Sequence, residues 1–234
     1  QTWYREGPWE PRIKEECEAV RDATGVLDLP GFSRFCIKGA GADEWLRGFV
    51  TGGLPKIGRI NLVYVSDGRG RILTEFSCIR LGEDDFVLIT AATAQFHDGD
   101  LIRHNAPKNL TITETTNDRT ALLVAGPKSR EMLAPLTDAD LDMGWLTHQH
   151  CSFAGKPAFL IRVSFTGELG WEVHAENEDM PAIYETILEA GATPFGMYAL
   201  NSLRMEKGYR AWKGDLSTDY SLLEAGLDRF IKFD

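Results

Sequence analysis

A single glutamate interrupts a strand pattern that is otherwise mostly apolar. In RILTEFSCIRL, residues 71–81, period-two alternation places Glu75 on the face that also carries Leu73 and Ile79, and both faces are largely apolar. Desolvation on such a surface raises the pKa of a carboxyl group and makes it a useful proton acceptor. Glu75 is therefore a candidate general base, although these residues alone favour the alternative of a salt-bridged or edge-strand glutamate.

Two more glutamates flank the turn at residues 166–169. Glu172 alternates with Trp171 and Val173, so it can face a pocket while its two neighbours enter the core. Glu168 is expected at the tip of the glycine-containing turn, in solvent. Of the two acids, Glu172 is the better candidate for binding a ligand.

The main basic cluster lies near a predicted helix end. Arg204 and Lys207 are three residues apart and share a helical face, and Arg210 and Lys213 follow just beyond. The cluster could bind the carboxylates of an anionic ligand. Cations in the last turn of a helix also complement its dipole, and that alternative has equal weight.

Common cofactor and metal motifs fail in this sequence. The segment GAGADE, residues 39–44, has glutamate where a dinucleotide-binding fingerprint needs its third glycine, and no phosphate-binding Gly-Lys-Ser/Thr loop occurs. His148, His150 and Cys151 form an H-x-H-C pattern in a predicted loop, where surface histidines are favoured over a metal site. The sequence predicts neither a nucleotide site nor a metal site.

Helices and strands in mixed order must position these residues. Helical spacing predicts helices at 9–24, 42–50, 93–104, 126–133, 180–190 and 195–207. Strands are predicted at 26–29, 34–38, 59–66, 71–81, 85–91, 110–115, 120–125, 158–165 and 170–175. Gly25 is expected to end the first helix in a left-handed cap.

The order of elements predicts the fold class. Asp67-Gly68-Arg69-Gly70 is a strong hairpin signal between two strands, and a second hairpin is predicted around residues 166–169. Strict βαβ alternation is missing, which favours an α+β fold with mixed, mainly antiparallel sheets and packed helices. Without a repeat or a long flexible linker, residues 1–234 are predicted to form one core with no internal boundary.

Composition narrows the possible partners. With 43% hydrophobic residues, the 234-residue chain can bury a sizeable core, and its apolar runs are too short to cross a membrane. A formal net charge of −10 argues against bulk attraction to nucleic acid or anionic lipid. Four widely separated cysteines predict reduced thiols and a reducing compartment. Trp3, Tyr4 and Trp9 are expected to pack on other residues, for example a preceding domain.

Several segments, in order along the chain, carry a resemblance to a known family. They are GVLDLPGFSRF (25–35), LPKIGRI (54–60), GRILTEFSCIRL (70–81), LLVAGPKSREML (122–133), SFTGELGWE (164–172), NSLRMEKGYRAW (201–212) and LLEAGLDRFIKF (222–233). Together they resemble the folate-binding aminomethyltransferase (glycine-cleavage T-protein) family, especially its version in the C-terminal region of dimethylglycine and sarcosine dehydrogenases. The resemblance implies a cloverleaf of three lobes around a tetrahydrofolate pocket. The chain is expected to hold two of them, because it stops before the C-terminal β-barrel lobe, and to lack the flavin domain.

The resemblance also implies roles for particular residues. The family's catalytic aspartate corresponds to Glu75, whose reach is one methylene longer, and the pterin-anchoring glutamate corresponds to Glu172. Dimethylglycine dehydrogenases resemble this chain in having glutamate at the first position. Further folate contacts are implied for Arg204, Tyr64 and Trp212. Leu200 stands where T-proteins have a pterin-binding arginine, so that contact is expected to be lost or replaced.

The implied activity is tetrahydrofolate-dependent one-carbon transfer. The domain would capture the methylene, or iminium, from oxidative demethylation of dimethylglycine or sarcosine and form 5,10-methylenetetrahydrofolate. FAD would be needed only in a flavin oxidase domain or subunit elsewhere, and the implied location is the bacterial cytoplasm or the mitochondrial matrix. A folate-dependent O- or S-demethylase is an alternative. A non-catalytic folate-binding assembly factor is disfavoured, because residues 207–210 lack that group's cysteine.

Overall fold

A computed structural model describes residues 7–29 and 31–232. The packing expected for Trp3 and Tyr4 falls outside these residues. Trp9 is 44% exposed, and its ring stacks on Tyr198 with the ring centroids 6.3 Å apart. Within the described residues, no helix combines the length and the apolar character that a membrane span needs.

Helices and strands succeed one another in mixed order. The first half contains α1 (Glu10–Asp22), β1 (Gly25–Asp28), β2 (Phe32–Lys38), α2 (Ala42–Phe49), β3 (Ile60–Ser66), β4 (Ile72–Gly82), β5 (Asp85–Ala91), α3 (Gln95–Asn105) and β6 (Thr111–Glu114). The second half contains β7 (Arg119–Ala125), α4 (Ser129–Leu133), β8 (His148–Phe153), β9 (Lys156–Ile161), β10 (Gly170–Glu176), α5 (Met180–Glu189), β11 (Thr193–Pro194) and α6 (Met197–Glu206).

The described residues form two compact units. The first unit comprises residues 7–29 and 119–209, and the second comprises 31–118 and 210–232. The first contains a six-stranded sheet in the order β11-β1-β7-β10-β9-β8, in which β11 pairs with β1 in parallel and the other neighbours are antiparallel. Its core joins Trp171 and Leu160 of the sheet to Ile183 and Ile187 of α5. These apolar positions are the period-two and period-3.6 faces of their elements.

The second unit is built on a five-stranded antiparallel sheet in the order β3-β4-β5-β2-β6. One cluster packs Phe35, Phe76 and Phe86 of the sheet with Leu46 of α2 and Ile102 of α3. A second, smaller cluster packs strand residues with the C-terminal segment: Tyr64, Ile72, Leu216, Leu222, Ala225 and Leu227. The expectation of an α+β fold with mainly antiparallel sheets is confirmed.

The first predicted hairpin forms for the expected reason. Asp67 accepts backbone N–H bonds from Arg69 and Arg71 through the same carboxylate oxygen, at 2.8 and 2.9 Å. Gly70 adopts a φ of 78°, which glycine reaches without steric cost. This closure sets the β3–β4 register that positions the candidate catalytic residue.

Gly25 does not cap the first helix. It is the first residue of β1. α1 ends at Asp22, and the cap residue is Ala23, whose N–H bonds to the carbonyl of Ala19. A Cβ at position 25 would lie 2.5 Å from Val20 Cγ2 and 2.7 Å from the ring of Phe195. Glycine is therefore needed here for close approach of packed elements, which the sequence pattern cannot distinguish from a cap.

The H-x-H-C segment was wrongly expected to be a loop. It forms β8, the edge strand of the first unit's sheet, and pairs antiparallel with β9. The rings of His148 and His150 each lie 4.9 Å from Phe159. The segment HQHCSF lacks a run of β-branched residues, and its pairing with β9 extends it as a strand.

Candidate functional site

Glu75 lies directly across the β3–β4 ladder from Tyr64. Side chains opposite each other in an antiparallel pair point to the same face, and the Tyr64 hydroxyl lowers the pKa of the Glu75 carboxyl group by hydrogen bonding. The next residues of β4 in each direction, Thr74 and Phe76, are buried on the other face of the sheet. The predicted alternation thus places Glu75 on the less covered face.

The Glu75 carboxylate is only partly satisfied. The residue as a whole is partly buried, but its Oε2 is fully buried and has no hydrogen-bond partner among the described residues. Burial raises the pKa of Glu75 to about 7, against a smaller lowering by the Tyr64 hydrogen bond. Burial, followed by the charge of Glu75 and the hydrogen bond to it, raises the pKa of Tyr64 above its usual range. At neutral pH Glu75 can therefore both hold and release a proton.

Trp212 lies in the same unit and packs on the cluster that contains Tyr64. Its indole Nε1 is buried and has no hydrogen-bond partner among the described residues. The Lys213 ammonium lies 5.4 Å from the centre of the indole ring. The second unit thus holds three predicted site residues, and two of them, Glu75 and Trp212, carry a buried polar atom with no hydrogen-bond partner among the described residues.

Glu172 projects from β10 in the first unit. Its neighbours Trp171 and Val173 are fully buried in the core, whereas the Glu172 side chain remains 22% exposed. Its Oε2 lies 2.9 Å from Nε2 of His174, which is 5% exposed. The alternation predicted for Glu172 is confirmed, and its folate contact remains a prediction. His174 was not singled out, although a histidine two residues along a strand must share the face of Glu172.

Arg204 is almost fully buried near the end of α6, at 7% exposure. Its Nε and Nη2 donate to Asn201 Oδ1 at 2.9 and 2.6 Å, and Nη1 donates to the carbonyl of Tyr209 at 2.9 Å. These bonds fix the chain as it leaves the helix. The folate contact implied for Arg204 remains a prediction.

Glu168 is not at a solvent-exposed tip. Its side chain is 27% exposed, and its carboxylate pairs with the Lys207 ammonium at 3.1 Å. Gly167, with a φ of 77°, permits this pairing because Lys207 crosses directly over it. The segment 162–169 is an ordered loop, and not the tight turn expected from the sequence, so β9 ends at Ile161.

This loop forms part of the lining of a cavity of about 330 Å³ in the first unit. None of the residues that line it was predicted from the sequence as a site residue: Trp145, Arg162, Ser164, Gly167, Glu168, Leu169 and Tyr209. No sequence signal grouped them, because Trp145 and Tyr209 come from segments distant from the loop. The ring of Tyr209 stacks on Phe165 with the centroids 5.9 Å apart, which fixes one wall.

Comparison with known proteins gives consistent matches. The model of the GCVT N-terminal domain family matches residues 1–234. The chain is 36% identical over 241 residues to the mitochondrial dimethylglycine dehydrogenase of Rattus norvegicus, covering 99% of this chain and 28% of that protein. It is 31% identical over 231 residues to an aminomethyltransferase of Caldanaerobacter subterraneus, covering 95% of this chain and 62% of that protein.

A solved structure matches the fold. The glycine cleavage system aminomethyltransferase T of Bartonella henselae aligns with a TM-score of 0.84 and 23% identity, covering 94% of this chain and 61% of that one. At this identity the match establishes the fold alone. The chain thus spans between a quarter and two thirds of the length of these relatives.

Proposed function

Because this chain belongs to the GCVT N-terminal domain family, we propose that it transfers a one-carbon unit to tetrahydrofolate. The unit would come from a methylated glycine, dimethylglycine or sarcosine, that is oxidatively demethylated elsewhere in the same polypeptide or complex. The relatives named dimethylglycine dehydrogenase and aminomethyltransferase support this reaction class. The oxidation itself would belong to a flavin oxidase domain or subunit.

The Tyr64–Glu75 pair is the observation that carries the proposal. Tyr64 faces Glu75 across the strand pair and lowers its pKa, and Oε2 of the same carboxylate is buried with no hydrogen-bond partner among the described residues. An unsatisfied buried acceptor costs about 1–3 kcal/mol, so it is expected to serve a ligand that supplies the missing donor. A reduced pterin, which carries several N–H groups, is such a ligand.

Other residues fit the same kind of ligand. The Glu172 carboxylate can accept paired N–H bonds from a pterin ring, and charge-assisted bonds of this type fix orientation as well as adding affinity. The unpartnered Nε1 of Trp212 offers a donor, and its indole offers a flat apolar surface. When bound, tetrahydrofolate would supply the nucleophilic nitrogen that accepts the one-carbon unit.

Glu75 would exchange a proton with that nitrogen, as a general base or a general acid. A carboxyl group with a pKa of about 7 exchanges its proton close to neutral pH, where a general base is most effective. Tyr64, opposite Glu75 on the neighbouring strand, would help to position the carboxylate so that Oε2 meets the ligand. Its phenol stays neutral, because the pKa of Tyr64 is raised, so the hydrogen bond persists over the working pH range.

The similarity to these relatives also supports a proposed location in the cell. The rat relative is named as a mitochondrial protein. Together with the four free cysteines, this supports a reducing compartment, either the mitochondrial matrix or a bacterial cytoplasm.

Glu75→Gln tests the proposal in the full polypeptide that carries this chain. Glutamine keeps the shape of the side chain and loses the exchangeable proton, so tetrahydrofolate binding should persist while one-carbon transfer falls by about 100-fold or more. Binding is measured by isothermal titration and transfer by single-turnover assay. Glu83→Gln, the same change at an exposed site in the β4–β5 turn, is the control. Full transfer activity in Glu75→Gln would exclude the proposed role.

A further inference from the structure

Arg162 carries a positive charge that no carboxylate in the described part of the chain neutralises. Its Nε is buried and has no hydrogen-bond partner within residues 7–29 and 31–232, and its guanidinium lies over the ring of Trp171, 4.8 Å from the ring centre. Burial, and then the neighbouring charge of Arg130, lowers the pKa of Arg162. An arginine held in this way is predisposed to accept an anion.

Arg130 shows the contrasting arrangement at the same aromatic ring. Its guanidinium also lies over Trp171, at 5.9 Å, but it is paired with the carboxylate of Asp142. The side chain of Arg130 is 44% exposed, and it does not line the cavity. Both guanidinium groups therefore lie over the same ring, but among the described residues Arg130 has a carboxylate partner and Arg162 has none.

The cavity beside Arg162 has walls suited to a small organic molecule. Ser164 and Tyr209 bring hydroxyl groups, and Trp145 and Leu169 bring apolar surface. Ser164 Oγ is held 2.7 Å from Thr166 Oγ1, so this part of the wall is fixed before any ligand binds. At about 330 Å³, the cavity is at the small end of the range for ligand sites.

The charges at the cavity determine the kind of anion. Glu168 is already paired with Lys207, so this pair contributes no net charge and Arg162 leaves a single positive charge. A monoanion balances that charge, whereas a dianion such as phosphate would leave an excess negative charge beside Glu168. The planar guanidinium fork also matches a planar carboxylate.

From these observations we infer that the cavity around Arg162 binds the carboxylate of a small organic monoacid, with the apolar part of the acid against Trp145 and Leu169. The site is built from residues other than Glu75, Tyr64, Trp212 and Glu172. It does not depend on the binding of tetrahydrofolate, and a failure of either proposal leaves the other standing.

Arginine footprinting tests this inference on the intact polypeptide. Phenylglyoxal modifies accessible guanidinium groups, and mass spectrometry reads Arg162 and Arg130 separately in one digest. Propionate should slow modification of Arg162 by several-fold and leave Arg130 unchanged. Propionamide, which has the same shape without the charge, should protect neither arginine.

Two matched variants provide a second measurement. Arg162→Gln should weaken propionate binding in isothermal titration by about tenfold or more, because a charge-assisted hydrogen bond is lost. Arg130→Gln removes the other cation from the same ring and should leave binding within about twofold. If Arg162→Gln does not fold, the footprint of the unaltered protein still decides.

Three results would overturn the inference. The first is no saturable protection of Arg162 by propionate, as expected if a carboxylate from the rest of the polypeptide already occupies the site. The second is equal protection by propionamide, which would show that charge is not recognised. The third is protection by inorganic phosphate at least as strong as that by propionate, which would contradict the monocarboxylate class.

Discussion

The side chain of Tyr64 lies opposite that of Glu75 on the neighbouring strand, and hydrogen bonding by its hydroxyl lowers the pKa of the Glu75 carboxyl group. Tyr64 is 1% exposed and packs edge-on against Phe230, with the ring centroids 5.5 Å apart. This packing holds the tyrosine ring on the face of the sheet that carries Glu75. Oε2 of Glu75 is buried and has no hydrogen-bond partner among the described residues.

Glu75→Gln is expected to change how stability depends on pH. The pKa of Glu75 is about 7 in the folded chain against an ordinary 4.5, so between these values the unfolded chain releases a proton that the folded chain retains. The contribution of Glu75 to stability therefore falls as pH rises through this window, by about 1–3 kcal/mol in total. Urea unfolding at about pH 5 and about pH 8 should show Glu75→Gln gaining stability relative to the unaltered chain at the higher pH.

Glu83→Gln is the control for that measurement, because the same change at an exposed site should give a nearly constant difference. A gain for Glu75→Gln that shrinks with rising pH would contradict the raised pKa.

Tyr64→Phe is expected to move the pH profile of one-carbon transfer upward. The Tyr64 hydrogen bond favours the charged form of Glu75, so its removal raises the Glu75 pKa further. The midpoint of the rising limb should shift from about pH 7 to a higher value, with tetrahydrofolate affinity changed much less. Because only the hydroxyl is lost and the ring stays in place, Tyr64→Phe should keep its fold. Urea unfolding of the variant checks this. A shift toward lower pH would show that Tyr64 acts on Glu75 in the opposite sense.

Glu172→Gln is expected to weaken tetrahydrofolate binding strongly while leaving the fold intact. The side chain is partly exposed, so little packing is lost, but a charge-assisted pair would become a neutral one, worth about 1.5–3 kcal/mol or roughly 10- to 100-fold in affinity. His174→Gln should have a smaller effect on affinity, because the proposed role of His174 is to position Glu172 through the 2.9 Å contact and not to bind the ligand. Isothermal titration compares the two variants, and unchanged affinity in Glu172→Gln would remove its assignment.

Gly167→Ala is expected to destabilise the chain more than Gly155→Ala. Both glycines have a left-handed φ, 77° and 74°, so each alanine costs about 1–2 kcal/mol of backbone strain. At Gly155 a new Cβ meets nothing within 4 Å, whereas at Gly167 it would lie 2.3 Å from Lys207 Cγ. Lys207 must then move and give up its pairing with Glu168. Equal losses in urea unfolding would indicate that Lys207 moves without consequence.

Much of the second unit could be predicted from its sequence. Asp67 and Gly70 predict the β3–β4 hairpin. The alternation in residues 71–81 predicts that Glu75 and its buried neighbours Thr74 and Phe76 point to different faces of the sheet. These signals are local, because a turn residue and a period of two act within a few positions of the chain. Glu172 was found in the same way, from its alternation with Trp171 and Val173.

Other features depend on neighbours that are distant in sequence. β8 exists because β9 pairs with it, and Gly25 is required by the approach of Val20 and Phe195. Glu168 is drawn into an ion pair by Lys207, which lies 39 positions later in the numbering and reaches it by crossing Gly167. None of these contacts has a local pattern.

The sequence by itself determined the secondary-structure order of most elements, the antiparallel α+β class and the two glutamates on which the proposed chemistry rests. Only the tertiary structure decided that Glu75 is buried beside Tyr64, and that Arg162 lines a cavity with no carboxylate partner among the described residues. The reason is physical: strand alternation and turn chemistry are short-range, whereas burial, and with it the pKa of Glu75 and the surroundings of Arg162, depends on which distant segments pack around a group.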